Sequence, residues 1–125
     1  MQNAELKLLF VDDSDVDVEL TLRTLKRRGF AVTWNRVETE VEMRRALEHS
    51  PPQVILSDFS MPLFEGSSAL RVACEVAPEV PFVFLSGSIG DERAAQTMQM
   101  GASGYVEKGN MDQLEGLLRR LTGTA

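Results

Sequence analysis

Cysteine, histidine and long apolar stretches are nearly absent from this chain of 125 residues. Cys74 is the single cysteine, which excludes an internal disulfide and a thiolate-rich zinc site. His49 is the single histidine, and it is expected to face solvent at the end of a helix. The apolar runs are too short to span a membrane, and the first seven residues do not resemble a signal peptide. These features favour the reducing cytoplasm over secretion or a membrane.

Positive charge is also scarce, because 13 Lys and Arg residues face 19 Asp and Glu residues and the formal net charge is −6. Such a chain repels a phosphate backbone, so direct nucleic-acid binding is not expected. The hydrophobic content of 43% is ordinary for a globular protein, and the length suits one domain over residues 1–125.

Four short apolar runs each precede residues that can handle a phosphoryl group. Each run is typical of a buried strand in a parallel sheet. Because the carboxyl ends of parallel strands share one edge, the residues that follow should meet in one crevice. The runs are Leu8–Val11 before Asp12 and Asp13, Val54–Leu56 before Ser57 and Asp58, Phe82–Leu85 before Ser86, and Gly104–Glu107 before Lys108.

The segments between these runs have the spacing and end signals of helices. Ser14 or Asp13 is expected to cap the first helix, and capping-box patterns at Thr39 and Asn110 open the second and the last. Ala31–Val37 predicts a further strand. Five strand–helix repeats predict an α/β fold with helices on both faces of a parallel sheet. The apolar positions at helical spacing are Val18, Leu22 and Leu25 in the first helix, Ala94, Ala95 and Met98 in the fourth, and Leu114, Leu117, Leu118 and Leu121 in the last.

The acidic residues at the predicted edge suggest metal-assisted chemistry. A helix cap explains only one of Asp12 and Asp13, whereas two adjacent carboxylates can bind a cation, one directly and one through water. Mg²⁺ suits this oxygen-rich set better than zinc. Asp58 can attack phosphorus and form an acyl phosphate if a cation and an ammonium group offset the negative charge, and Lys108 supplies the ammonium.

Each of these residues also has an ordinary structural explanation when it is taken alone. Asp58 suits a turn, Ser86 a plain loop and Lys108 a solvated surface. Tyr105 suits an edge strand, with its ring packed and its hydroxyl in water. Only the shared position of the residues favours a joint function.

Taken together, the motifs resemble the receiver domain of two-component response regulators over nearly the whole chain. The resemblance implies a flavodoxin-like, doubly wound five-stranded sheet in the order 2-1-3-4-5. The motifs are Val11-Asp12-Asp13-Ser14, Asp58-Phe59-Ser60-Met61-Pro62 with Gly66, Ser86-Gly87, Tyr105 and Lys108.

The resemblance also implies a role for each residue of the acidic site. Asp58 would accept a phosphoryl group from a phosphohistidine of a histidine kinase or histidine phosphotransfer protein. Asp13 and Asp58, with the backbone carbonyl of Ser60, would hold Mg²⁺, and Asp12 would act on the ion through water. Such a receiver phosphorylates and dephosphorylates itself and is not a turnover enzyme.

Three further residues would carry the response. Lys108 would pair with the phosphoryl oxygens, Ser86 would move to bond one of them, and Tyr105 would change rotamer. An output domain or partner protein would then bind the face built by the fourth helix, fifth strand and last helix. The sequence does not decide whether the domain forms a homodimer. Gly109 occupies the position after the lysine where the family usually has a proline, with a cis peptide bond between the two residues. We expect a trans Lys108–Gly109 bond, because a cis bond before a non-proline residue costs about 2.5–4 kcal/mol.

Two other functions compete with this one. A haloacid-dehalogenase-like phosphatase would use Asp13 as nucleophile in Asp13-Ser14-Asp15, but it would leave Asp58 without a role. Such enzymes also need a later acidic pair, where only Asp112 and Glu115 occur, on a predicted helix. A receiver-like interaction module that phosphorylation does not regulate would not need the intact set of acids and lysine.

Overall fold

Ten elements alternate along the described part of the chain, and the predicted five strand–helix repeats are confirmed. The computed structural model describes residues 5–59, 61, 64, 66–87 and 91–123, with the side chains of 66 and 91–94 left out. The elements are β1 (Glu5–Val11), α1 (Asp15–Arg27), β2 (Ala31–Val37), α2 (Glu40–His49), β3 (Val54–Asp58), α3 (Gly66–Val76), β4 (Phe82–Ser86), α4 (Asp91–Gln99), β5 (Gly104–Glu107) and α5 (Met111–Thr122).

The five strands form one parallel sheet in the order β2-β1-β3-β4-β5. This is the doubly wound, flavodoxin-like order that the resemblance implied. The strands end nearly in line, since Val11 lies opposite Ser57, Asp58 opposite Leu85 and Ser86 opposite Glu107. The polar residues at these ends therefore share one edge of the sheet.

Two apolar clusters cover the two faces of the sheet. On one face, α1 and α5 pack against residues such as Phe10, Leu56 and Val106. On the other face, α2 and α3 pack against residues such as Ile55 and Phe84. Each fully buried Leu or Phe side chain contributes about 1.5–3 kcal/mol. The predicted helix positions that are buried here are Val18, Leu22, Leu25, Leu114, Leu117 and Leu118, while Leu121 is partly buried.

The structure shows which of the two predicted residues, Ser14 or Asp13, caps α1. The Ser14 hydroxyl oxygen accepts a hydrogen bond from the Asp17 backbone N–H at 3.2 Å, so Ser14 is the N-cap of α1. Asp13 is therefore not needed as a cap. Thr39 and Asn110 cap α2 and α5 as predicted.

The apolar positions of α4 follow a different pattern from those of α1 and α5. Ala95 and Met98 are exposed, whereas Thr97 is buried. Ala94 is outside the described side chains. The reason is position, because α4 lies against β5, the edge strand of the sheet, and has little apolar surface to cover. His49, the last residue of α2, is exposed as expected.

Candidate functional site

Three carboxylates converge at the carboxyl edge of the sheet. Asp12, Asp13 and Asp58 each offer an oxygen, and these oxygens lie within 4.8 Å of one another. Asp12 follows β1 and is buried, Asp58 ends β3 and keeps 12% of its side chain exposed, and Asp13 is exposed. Parallel strands that end side by side bring these three acids together.

Hydrogen bonds hold the Asp12 segment in place. Its Oδ1 accepts from the Ser14 backbone N–H at 2.9 Å, its own N–H donates to the Val37 carbonyl at 3.0 Å, and its carbonyl accepts from Arg36 Nη1 at 3.2 Å. Burial raises the pKa of the Asp12 carboxyl, and the Ser14 N–H and the Lys108 charge oppose that rise only in part. The site thus keeps a carboxylate where its charge is costly.

Lys108 supplies the positive charge of the site. Its Nζ lies 2.7 Å from Asp17 Oδ2, 3.4 Å from Asp12 Oδ2 and 3.7 Å from Asp58 Oδ1. Burial by itself would lower the pKa of Lys108, but the hydrogen bond to Asp17 and the three carboxylate charges outweigh burial and raise it. The ammonium group is therefore firmly protonated at neutral pH.

A tight turn places Lys108 at the end of β5. The Lys108 N–H donates to the Ser86 carbonyl at 2.6 Å, and the Asn110 N–H donates to the Glu107 carbonyl at 3.0 Å. Gly109 has a φ of 93°, which fits the third position of a type II turn. The Lys108–Gly109 bond is trans, as predicted. Proline, with φ near −65°, does not fit this turn.

Ser86 and Tyr105 lie on the neighbouring strands β4 and β5. Ser86 is buried at the end of β4, beside the end of β3 that carries Asp58. Tyr105 lies opposite Phe84, packs against the cluster on the α2 and α3 face, and has a buried hydroxyl oxygen. The ordinary explanation for Tyr105, which places this hydroxyl in water, therefore does not hold.

Part of the predicted site lies outside the described residues. Ser60, whose carbonyl was expected to bind the metal, and Pro62 are among them. Gly66 is the first residue of α3, in agreement with a loop that ends there.

Asp17 is the residue that the sequence analysis missed. It lies in the first turn of α1 and forms the shortest of the three ion pairs of Lys108. A signal was present, because α1 starts from the same edge as the acidic pair, and an acid in its first turn can face that edge.

The fold and this edge together define a doubly wound α/β domain with an acidic, lysine-containing site. Residues 8–119 match the family of response regulator receiver domains. The match covers most of the chain, and the chain belongs to this family.

Relatives with known names agree with this membership. The chain is 28% identical over 114 residues to the DNA-binding transcriptional regulator NtrC of Proteus hauseri, which is 90% of this chain and 24% of that protein. This chain therefore spans about a quarter of the length of that regulator.

Solved structures agree in fold. A two-component response regulator of the LuxR family from Aurantimonas sp. SI85-9A1 has a TM-score of 0.81 at 24% identity, over 96% of this chain and 87% of that one. A response regulator protein from Burkholderia pseudomallei, solved with a phosphorylated aspartic acid, a calcium ion and citrate, has a TM-score of 0.74 at 25% identity, over 93% of this chain and 66% of that one.

The helices that the structure describes are too short or too polar to cross a membrane.

Proposed function

We propose that this receiver domain accepts a phosphoryl group on Asp58 in a Mg²⁺-dependent reaction and thereby switches a partner-binding surface. The observation that carries the proposal is the position of the Asp58 carboxylate. One of its oxygens lies within 4.8 Å of an oxygen of each of two other carboxylates, and its Oδ1 lies 3.7 Å from Lys108 Nζ. A nucleophile, a cation site and a fixed positive charge are the three parts that acyl phosphate formation needs.

The transfer can be written with this chain's own groups. An Asp58 carboxylate oxygen attacks the phosphorus of a phosphohistidine, the O–P bond forms as the N–P bond breaks, and the electron pair stays with the imidazole nitrogen. Lys108 then faces the phosphoryl oxygens, because its ammonium already lies next to the Asp58 oxygen. Asp58 keeps only 12% of its side chain exposed, which limits competition from water.

The donor set fits a hard divalent cation. Asp12, Asp13 and Asp58 offer oxygen ligands alone, as Mg²⁺ prefers. Asp13 and Asp58 would hold the ion together with the carbonyl of Ser60, and Asp12 would act through water. When bound, Mg²⁺ offsets the negative charge of both reactants.

Phosphorylation would change the face formed by α4, β5 and α5, and a partner would bind there. An open cleft of about 610 Å³ lies there, and Met98 and Tyr105 are among its lining residues. Ser86 would bond a phosphoryl oxygen, and Tyr105 would change rotamer beside it. The phosphoryl group favours one arrangement of Ser86 and Tyr105 over the other only by the difference in the energy of its contacts in the two arrangements.

The proposed partners follow from this role. The phosphoryl donor is a histidine kinase or a histidine phosphotransfer protein, and the reader is an output domain or a separate protein. Residues 1–125 form one receiver domain in this proposal. The cytoplasmic location and the absence of direct nucleic-acid binding stay predictions.

The test is phosphorylation by acetyl phosphate with Mg²⁺, followed by intact-mass spectrometry. The wild-type protein should gain one phosphoryl group, and Asp58→Asn should gain none. Asp112→Asn is the matched control, because Asp112 lies on α5, pairs with Arg28 and should not affect labelling. Undiminished labelling of Asp58→Asn would contradict the assignment, and label on Asp13 would favour the phosphatase.

The same preparation tests the output face. Backbone amide shifts of the protein with and without fluoroberyllate and Mg²⁺ should change from Asp58 through the segment 91–113. Changes confined to the surroundings of Asp58 would support the acceptor and refute this output route. If no amide shifts change at all, the interaction module without phosphorylation is favoured.

A further inference from the structure

We propose that Asp17 is a positioning residue that tethers Lys108 to α1 and competes with the phosphoryl group for its ammonium. This proposal rests on the proposed function, since it concerns the ammonium that would meet the phosphoryl oxygens. It assigns to α1 a direct effect on how tightly the site holds an anion.

The distances around Lys108 Nζ identify its main partner. The contact with Asp17 is 2.7 Å, a normal length for a charge-assisted hydrogen bond, whereas the distances to Asp12 and Asp58 are 3.4 and 3.7 Å. The ammonium group is therefore drawn toward α1 and away from the carboxylate that would carry the phosphoryl group.

Both partners are fixed by their backbones. The Asp17 N–H bonds to the Ser14 cap at 3.2 Å, and its carbonyl accepts from the Thr21 hydroxyl at 3.0 Å. Lys108 is fixed by its N–H bond to Ser86. The ion pair thus joins the first turn of α1 to the loop between β5 and α5.

A phosphoryl group on Asp58 would change this balance. The acyl phosphate carries up to two negative charges where the carboxylate carried one, and it places three acceptor oxygens beside an ammonium that has three N–H donors. The ammonium already donates to Asp17 at 2.7 Å and to Asp12 at 3.4 Å, so only one N–H is left for the phosphoryl oxygens, and any further bond to them takes a donor from one of these two carboxylates. Asp17, 42% exposed, is the carboxylate that water can most readily solvate once released.

The test compares fluoroberyllate affinity at saturating Mg²⁺, measured by amide-shift titration. Asp17→Ala should bind the anion about two to five times more tightly, the size expected for loss of a partly exposed ion pair. Asp15→Ala is the matched control, because Asp15 is also in the first turn of α1, is exposed and makes no ion pair among the described residues. It reports the effect of removing one nearby negative charge.

A second background separates tethering from general charge. In Lys108→Met, where there is no ammonium to tether, Asp17→Ala should change affinity no more than Asp15→Ala does. Equal effects of Asp17→Ala and Asp15→Ala in the wild-type background, or weaker binding by Asp17→Ala, would overturn the proposal. Failure of the wild-type protein to bind fluoroberyllate would instead refute the proposed function.

Discussion

Replacement of Asp13 by asparagine should stabilise the protein without metal and weaken its response to Mg²⁺. Asp13 is not the helix cap, and its carboxylate lies within 4.8 Å of two others. Two like charges at that separation repel by about 0.9 kcal/mol in water and about 3.5 kcal/mol at an effective dielectric constant of 20. Asp13 has two such neighbours, so the value in water sums to about 1.7 kcal/mol, and because Asp13 is exposed and salt screens it, we expect a gain of about 1 kcal/mol. That gain equals roughly 4 °C in Tm.

Urea denaturation followed by circular dichroism measures both effects. In excess EDTA, Asp13→Asn should unfold at higher urea than the wild-type protein. In excess MgCl₂ the order should reverse, because a cation that binds only the folded state adds RT ln(1 + [Mg²⁺]/Kd), about 2.7 kcal/mol at a hundred times Kd. Asp15→Asn, outside the cluster, should lose a few tenths of a kcal/mol at most from the helix dipole.

A marked loss of stability of Asp13→Asn in EDTA would refute this reasoning. It would show that Asp13 has a structural role that the contacts of the described residues do not reveal. An equal stabilisation of both proteins by Mg²⁺ would remove Asp13 from the metal site while leaving the repulsion argument intact.

Two further predictions concern the backbone and pH. Gly109→Ala should destabilise the fold by about 1–2 kcal/mol in urea denaturation, because φ is 93° at this position. Gly116→Ala, within α5, should instead stabilise the fold. Equal effects of the two substitutions would contradict the proposed turn at Gly109. The hydrogen bond from Arg28, followed in size by that from Arg119, lowers the pKa of Glu115. The ionised Glu115 therefore stabilises the fold fully at pH values above its unfolded pKa, and this stabilisation is lost as the pH falls through its folded pKa. The Tm advantage of the wild-type protein over Glu115→Gln should therefore shrink between neutral pH and pH values below 4.5, and a constant difference would contradict it.

The elements and the shared edge could be predicted because they depend on local patterns. Buried parallel strands are continuous apolar runs, and their carboxyl ends meet whatever the strand order is. That is why Asp12, Asp58 and Lys108 could be placed together before the structure. The strand order itself came only from the resemblance, since periodicity does not reveal which strands are neighbours.

The remaining features depend on tertiary placement. The exposed Ala95 and Met98 follow from α4 lying at the edge of the sheet, which its spacing of apolar residues does not encode. The ion pair of Asp17 depends on how α1 leaves the edge, and the buried Tyr105 hydroxyl depends on a side-chain rotamer. Gly109 signals a positive φ in principle, but only the turn shows why proline does not fit.

The electrostatic cost of burying Asp12 is offset first by the hydrogen bond from the Ser14 N–H and then by the charge of Lys108. Burial raises the pKa of Asp12, and the Lys108 charge is among the groups that oppose that rise. Lys108 also bonds Asp17 and lies near Asp58, so whatever draws the ammonium away makes the buried Asp12 charge more costly. A cation at the acidic cluster would remove that cost, because it neutralises Asp12 without Lys108. Cation binding and release of Lys108 toward a phosphoryl group on Asp58 should therefore favour each other, which gives a physical reason for the two ligands to act together.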